Sequence, residues 1–239
     1  VALCGGSAFG LAATTGVMTW LRALGVGFPT GVLPVPIVPA AVLFDLGLGR
    51  PEAYPDAAMG EAACRAATTS VAEGCVGAGA GASVGKVLGM AQAVKAGIGT
   101  AAERLPDGLI VGALAATNAL GDVVDAAGCI LAGTRLPETD LPPELADLAA
   151  DPTARPFPGA GRVLRRLRRP AAAPTSTTLA VVGTNARLDK AACTRLATMA
   201  HAGLARAIQP VYTPFDGDVV FALATGEQAL AGPADLLAL

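Results

Sequence analysis

Apolar and polar positions recur along this chain with two different periods. Leu11, Thr15, Met18 and Leu21 are spaced near 3.6 residues and stop at Gly25, which predicts a helix over 11–24. The Ala-rich stretch 56–69 reads as a second helix with Asp56 as its N-cap. A third, over 189–208, opens on Asp189 and carries Leu196, Ala200, Leu204 and Ile208 as a stripe at i+4 spacing. Short apolar runs between turn residues predict buried strands at Leu109–Ala119, Leu179–Gly183 and Val219–Gly226, and "VPIVPAAVLFDLGLG" reads as a further Pro-punctuated strand. Strands alternate with helices and long Gly-rich turns. The expected class is therefore mixed α/β, with layered sheets and helices outside.

The stretch 133–174 breaks this pattern. It is rich in proline and contains "RVLRRLRRP", Arg162 to Pro170, and reads as an exposed linker over residues 133–176 or so. Order returns at "PTSTTLAVVGTNA", where Ser176, Thr177 and Thr178 stand at the mouth of an apolar strand.

Composition narrows the chemistry. Of 239 residues 53% are hydrophobic and only 4% aromatic, with 30 glycines, so closely packed layers are expected. The 17 basic and 19 acidic residues nearly cancel, which argues against a nucleic-acid partner. The most apolar region, Gly25–Gly49, holds four prolines and Asp45, which argues against a membrane-spanning helix. Five scattered cysteines without a Cys-x-x-Cys pair fit reduced thiols in a cytoplasmic chain better than a disulfide framework or a metal site. The opening "VALCGGSAFGL" has neither Met nor a charged leader and reads as the middle of a strand.

"GAGAGASVGK" fails as a phosphate loop. Ala80 stands where the first glycine is needed and Val87 where the magnesium-binding hydroxyl belongs. The hydroxyls at 176–178 need a base, and the single histidine, His201, falls within the stripe region of a helix. An N-terminal threonine carries its own base, an α-amino group with a pKa near 8, once the bond before it is broken. A linker running directly into Thr and a buried strand is the layout such a cut needs.

Several long stretches, in order, carry a resemblance: "LCGGSAFGLAATTGVMTWL", "GVLPVPIVPAAVLFDL", "VKAGIGTAA", "TNALGDVVD" and "MAHAGLARAIQPVYTPFDGDVVFALATG". Together they resemble the DmpA-type family of L-aminopeptidase D-amidase/D-esterases, β-peptidyl aminopeptidases and nylon-oligomer hydrolases. The resemblance implies a four-layer αββα sandwich, Ntn-hydrolase-like with DmpA-type connectivity. It implies one hydrolase domain, 1–239, that cuts itself into a larger part, 1–176, and a smaller part, 177–239. It makes Thr177 the nucleophile and Ser176–Thr177 the cleaved bond, with Ser176 in the place of a common Asn. By position, Asn118 matches an oxyanion-binding amide, Lys95 a lysine near the site, and Asp216 and Asp218 an acidic pair contacting the nucleophile. Glu61 replaces a tyrosine of the family's site, which leaves Glu61 and Asp216 as substrate-binding positions. The resemblance further implies a short peptide or amide substrate, no cofactor or metal, a homo-oligomer, and segments shorter than the family's at both ends. An acyltransferase of the ornithine acetyltransferase kind and a catalytically inactive relative are the alternatives.

Overall fold

The computed structural model describes residues 1–154, 156–167 and 176–230. In chain order it contains β1 (Ala2–Cys4), α1 (Ala13–Ala23), β2 (Phe28–Pro29), β3 (Pro34–Val35), β4 (Ala40–Val42), α2 (Ala57–Arg65), β5 (Ser83–Val84), β6 (Val94–Lys95), β7 (Ile98–Arg104), β8 (Ile110–Ala116), β9 (Asp122–Val124) and β10 (Ile130–Ala132). There follow α3 (Ala146–Ala150), α4 (Ala160–Leu167), β11 (Leu179–Ala186), α5 (Lys190–Ala207), β12 (Ile208–Gln209) and β13 (Val219–Gln228).

The central layer is a four-stranded sheet in the order β13-β11-β8-β7. β11 lies parallel to β13 and antiparallel to β8. Its side chains alternate between two packed faces, as the strand period of two requires. Ala180 and Val182 face α5, where Leu196 is buried and Ala200 and Leu204 pack beside it. Leu179 faces the other way, into a cluster with Ala116, Leu43 of the β4 end, Ala78 and Ala82. Leu3 and Ala41 of the parallel pair β1–β4 close that cluster, and α1 and α2 pack beyond. The layers thus run helix, sheet, second sheet, helices.

α1 and α2 touch backbone to backbone. A methyl group on Gly16 would lie 1.8 Å from Ala57 O, and one on Gly60 2.0 Å from Ala13 O, so only glycine fits at either crossing. Both expected caps form: Asp56 Oδ1 accepts from Met59 N at 2.9 Å, and Asp189 Oδ1 from Ala192 N at 2.7 Å. Ile208, the last member of the α5 stripe, has left the helix and opens β12.

The linker expectation needs correction over most of its length. Residues 143–167 carry α3, α4 and short 3-10 turns. Leu145, Leu148, Ala160 and Val163 are buried with Val87 and Leu120, and Leu164 and Leu167 pack against them. The arginines lie on the outer face, where Arg162 pairs with Asp151 at 2.8 Å and Arg166 with Asp147 at 2.5 Å. The cause is an amphipathic helix whose polar face is almost all arginine. Residues 155 and 168–175 of this stretch, with the last three residues of the arginine run, lie outside the described residues.

Asp122 fastens this helical segment to the core. Its buried carboxylate accepts from Thr134 N at 2.7 Å and from Ala160 N, the first residue of α4, at 2.5 Å. A methyl group on Gly133 would lie 2.3 Å from that carboxylate. Burial pushes the Asp122 carboxyl up, and the two N–H donors pull it back part of the way.

Candidate functional site

Strand register assembles the site. Leu179 of β11 pairs with Ala116 of β8 and with Val219 of β13. Two residues further out on each strand, the same row reaches Thr177, Asn118 and Gly217. The ladder bonds continue there: Thr177 N donates to Asn118 O at 2.8 Å, and Gly217 N donates to Ser176 O at 2.9 Å. Ser176 and Asp216 form a parallel bridge in the same register.

Thr177 is half-buried at this edge. Its hydroxyl donates to the carbonyl oxygen of Ser176 at 2.6 Å, the carbonyl that Gly217 N–H also polarises. The Asp216-Gly217-Asp218 turn wraps the hydroxyl so closely that a methyl group on Gly217 would lie 3.0 Å from Thr177 Oγ1.

The two carboxylates of that turn are fixed separately. Asp216 Oδ2 accepts from Thr213 Oγ1 and N at 2.5 and 3.1 Å, and its Oδ1 accepts from Leu120 N at 3.2 Å. Asp218 Oδ1 accepts from Thr178 N at 2.5 Å and its Oδ2 from Tyr212 N at 3.2 Å. Burial pushes the Asp218 carboxyl up, the Asp216 charge adds to this, and the two N–H donors oppose it. Tyr212 holds a left-handed backbone, φ 53°, that is unusual for a bulky residue. Its ring stacks on His201 of α5, 4.8 Å between centroids, and its phenol is pushed up to about 12 by burial and the Asp218 charge.

Asn118 is fully buried. Its Nδ2 donates to Phe44 O at 3.1 Å, while its Oδ1 accepts from Ser83 N at 3.1 Å and from Lys86 Nζ at 2.5 Å. Lys86 Nζ also donates to Asn118 O at 3.1 Å, the carbonyl that receives Thr177 N–H. Lys86 is only 5% exposed, and burial pulls its ammonium down to about 7 against the attraction of Asp216 and Asp45.

Sequence reasoning missed Lys86, which entered only as the lysine of a failed phosphate loop. Lys95, expected near the nucleophile, donates to the carbonyls of Gly79, Ala82 and Ala96 at 3.0, 3.0 and 3.3 Å, so those bonds tie it to the Gly-rich loop. Glu61 accepts from Arg65 on the surface of α2, and that guanidinium lies 4.3 Å over the Trp20 ring. These contacts fix the α2 face that carries Glu61. Among the described residues, no group of three or more His, Cys, Asp or Glu is placed to hold a metal ion.

The sequence profile of peptidase family S58 matches residues 1–237. The chain belongs to peptidase family S58. The expected DmpA-type kinship is therefore correct. An uncharacterized aminopeptidase of Mycobacterium tuberculosis (strain ATCC 25618 / H37Rv) is 46% identical to this S58 chain over 234 residues, covering 95% of it and 62% of the relative. A 6-aminohexanoate-oligomer endohydrolase of Kocuria sp. (strain KY2) is 31% identical over 228 residues, 95% of this chain and 60% of that protein. This S58 chain thus spans about three fifths of the curated relatives it matches.

Among solved structures, a Burkholderia sp. beta-aminopeptidase superposes with a TM-score of 0.56 at 27% identity, over 90% of this chain and 50% of that one. The L-aminopeptidase D-Ala-esterase/amidase of Ochrobactrum anthropi, described as a variant of the Ntn-hydrolase fold, superposes with a TM-score of 0.56 at 19% identity. It covers 94% of this chain and 53% of that one, and places the architecture among Ntn-hydrolase folds. No helix of the described residues is long and apolar enough to cross a membrane.

Proposed function

We propose that this chain is a self-processing amide hydrolase that cuts the Ser176–Thr177 bond and then uses Thr177 as an N-terminal nucleophile. The observation that carries the proposal is the Thr177 hydroxyl resting on the Ser176 carbonyl while Gly217 N–H polarises that carbonyl from outside. In the first step Thr177 Oγ1 attacks the Ser176 carbonyl carbon, the C–N bond breaks, and the nitrogen gains a proton, leaving an ester. Water then hydrolyses the ester, giving a carboxylate on Ser176 and a free amine and hydroxyl on Thr177. No α-amino base exists before the cut. Lys86, with a pKa of about 7, is the group linked through the Asn118 carbonyl that can exchange a proton near neutrality.

Once free, the Thr177 amine takes the hydroxyl proton as Oγ1 attacks a substrate carbonyl, then returns it to the leaving amine. Gly217 N–H is a backbone donor suited to a developing oxyanion, and Asn118, held beside Thr177 by the Thr177 N–H bond to its carbonyl, would have to turn its side-chain amide from Phe44 O to add a second. Asp216 and Asp218 set a negative face beside the new amine, suited to a substrate with a cationic free N-terminus. The relatives named aminopeptidase and 6-aminohexanoate-oligomer endohydrolase support short peptides or linear amides as substrates. The scheme runs on side chains, backbone and water, with homo-oligomeric assembly in the cytoplasm as its setting.

Intact-mass analysis of the purified chain tests the proposal. Two fragments meeting at Ser176/Thr177, and turnover of an aminoacyl-p-nitroanilide, are expected; Thr177→Ala abolishes both. A permanently single chain without turnover refutes self-processing, and turnover that survives Thr177→Ala refutes the nucleophile.

A further inference from the structure

The hairpin β2–β3 has no part in the scheme above and stands apart from the layers. Phe28 pairs with Val35 and Pro29 with Pro34, and among the described residues these two strands pair only with each other. Thr30 closes the turn between them: its hydroxyl donates to Leu33 O at 2.8 Å and accepts from Leu33 N at 3.3 Å. At the open end Val26 N donates to Leu21 O at 2.9 Å, which ties the hairpin to the last turn of α1. A methyl group on Gly27 would lie 2.7 Å from Pro36 N, so the strands stay side by side beyond the paired residues.

Strand alternation sorts the side chains onto two faces. Phe28 and Val35 share one face as cross-strand partners, and Val26 and Ile37, two residues further along each strand, fall on the same one. That face is apolar and open. Phe28 is 63% and Ile37 72% exposed, Val26 and Val35 are exposed beside them, and Val32 at the tip is 89% exposed. The other face carries Gly27, Pro29, Pro34 and Pro36. No charged residue stands between Arg22 and Asp45. A two-stranded hairpin is marginal by itself in water, and a contiguous apolar patch of several hundred Å² marks a contact surface.

Three observations select the occupant. Pro29, Pro34 and Pro36 have no N–H to offer, which hinders strand addition along the hairpin edges and leaves packing on the open face. A face without charge meets its own copy without like-charge repulsion, as a two-fold contact between identical patches requires. Val26, Phe28, Val32, Leu33, Val35 and Ile37 still expose on the order of 100 Å² each, so two copies face to face remove roughly 1,200 Å² from water, the lower bound of a specific interface. An anionic lipid surface finds no lysine or arginine to hold over residues 23–49. We propose that the open face of the β2–β3 hairpin is the dimer contact of this chain, packed against the same face of a second copy. This names the surface behind the homo-oligomeric setting proposed above and does not depend on Thr177.

The test is sedimentation velocity over a dilution series, on the full chain carrying Thr177→Ala so that a single uncut species is followed. A dimer of the 23.5 kDa chain, or a multiple of it, is expected. Val32→Asp with Ile37→Asp should raise its dissociation constant at least about 100-fold, because each unpaired charge enters the two-fold contact twice. A monomer at every concentration overturns the proposal together with the homo-oligomeric setting. An assembly untouched by the two charges overturns the hairpin face alone. A monomer that floats with phosphatidylcholine vesicles overturns it in favour of a lipid surface. Both side chains project into solvent in a single copy, so thermal melting of the monomer should not change. Should the double variant not fold, p-benzoyl-phenylalanine in place of Val32 gives the answer: irradiation must join residues 24–37 of two copies, and a cross-link elsewhere, or none, overturns the proposal. Cutting and turnover are read separately, by intact mass and p-nitroanilide release, so a failure of the Thr177 reading leaves every one of these outcomes readable.

Discussion

Gly217→Ala separates the geometry of the proposed nucleophile, Thr177, from the stability of the fold. The new methyl would stand 3.0 Å from Thr177 Oγ1 and 3.8 Å from Ser176 O, where ordinary van der Waals contact begins near 3.4 Å. Gly217 is not among the glycines of positive φ, so alanine imposes no backbone strain there. Its N–H still reaches Ser176 O. The turn is exposed and can relax, so the fold loses well under the 1–3 kcal/mol typical of overpacking a core. The crowding falls instead on the hydroxyl, which must retreat by roughly 0.4 Å or swing to another staggered rotamer and leave the Ser176 carbonyl. A 1 Å misplacement of a reacting group costs about 100-fold, so this smaller one should slow cutting about 10-fold. The assay is an intact-mass time course of freshly purified chain, with thermal melting alongside. Cutting at the unsubstituted rate, with melting unchanged, would refute the placement of Thr177 Oγ1 against this turn.

Three further outcomes follow from the same contacts. The Lys86 pKa, about 7 when folded against roughly 10.4 for a free lysine, means that the unfolded chain binds the extra proton between those values. Stability of the uncut Thr177→Ala chain should therefore rise with pH above about 7, by up to about 1.4 kcal/mol per unit, and be flat from this group below it; urea titrations at pH 7, 8 and 9 should lose the slope in Lys86→Met. Asp122→Asn leaves one acceptor oxygen facing two buried N–H donors, Thr134 and Ala160, and should cost about 2 kcal/mol in chemical denaturation while loosening α4 in hydrogen exchange. Ser176→Ala should cut within a few-fold of the unsubstituted rate and be no less stable, because the buried Ser176 Oγ has no hydrogen-bond partner among the described residues; an abolished cut would show that the side chain takes part.

Much of the fold was legible because its elements carry their own period. The α5 stripe, the caps at Asp56 and Asp189 and the apolar runs of β8, β11 and β13 depend on neighbours in sequence, and all form close to where the pattern places them. Thr177, Asn118, Asp216 and Asp218 could be named from family likeness, and register brings them to one edge of the sheet. The features that were missed depend on distant partners. Lys86 sits among the buried residues Ser83, Val84 and Val87, and a lysine in so apolar a run is a signal in itself, since lysine is buried only when paired. Asp122 owes the room for its burial to Gly133, which nothing local in the sequence marks as its partner. The arginines of α4 hid the spacing of Val163, Leu164 and Leu167 behind the look of a solvated linker.

The register also explains why a serine can stand before Thr177, the proposed nucleophile. In a strand, successive side chains point to opposite faces while the carbonyls stay in the ladder. In the proposed cut the reacting group at residue 176 is the carbonyl, and its position is set by backbone: the Gly217 N–H, the bridge to Asp216, and the Thr177 N–H bound to Asn118 O. None of these contacts involves the side chain of residue 176. What the site requires at its edge is therefore a row of three strands in the correct offset, with a hydroxyl at 177, a glycine at 217 and an amide at 118. A slip of β11 by one residue would bury the Thr177 hydroxyl on the opposite face and present Ser176 or Thr178 in its place. Leu179, fully buried between Ala116 and the Leu43 end of β4, is the side chain that forbids that slip. The hydrophobic packing that builds the sandwich and the alignment of the Ser176 carbonyl are one constraint.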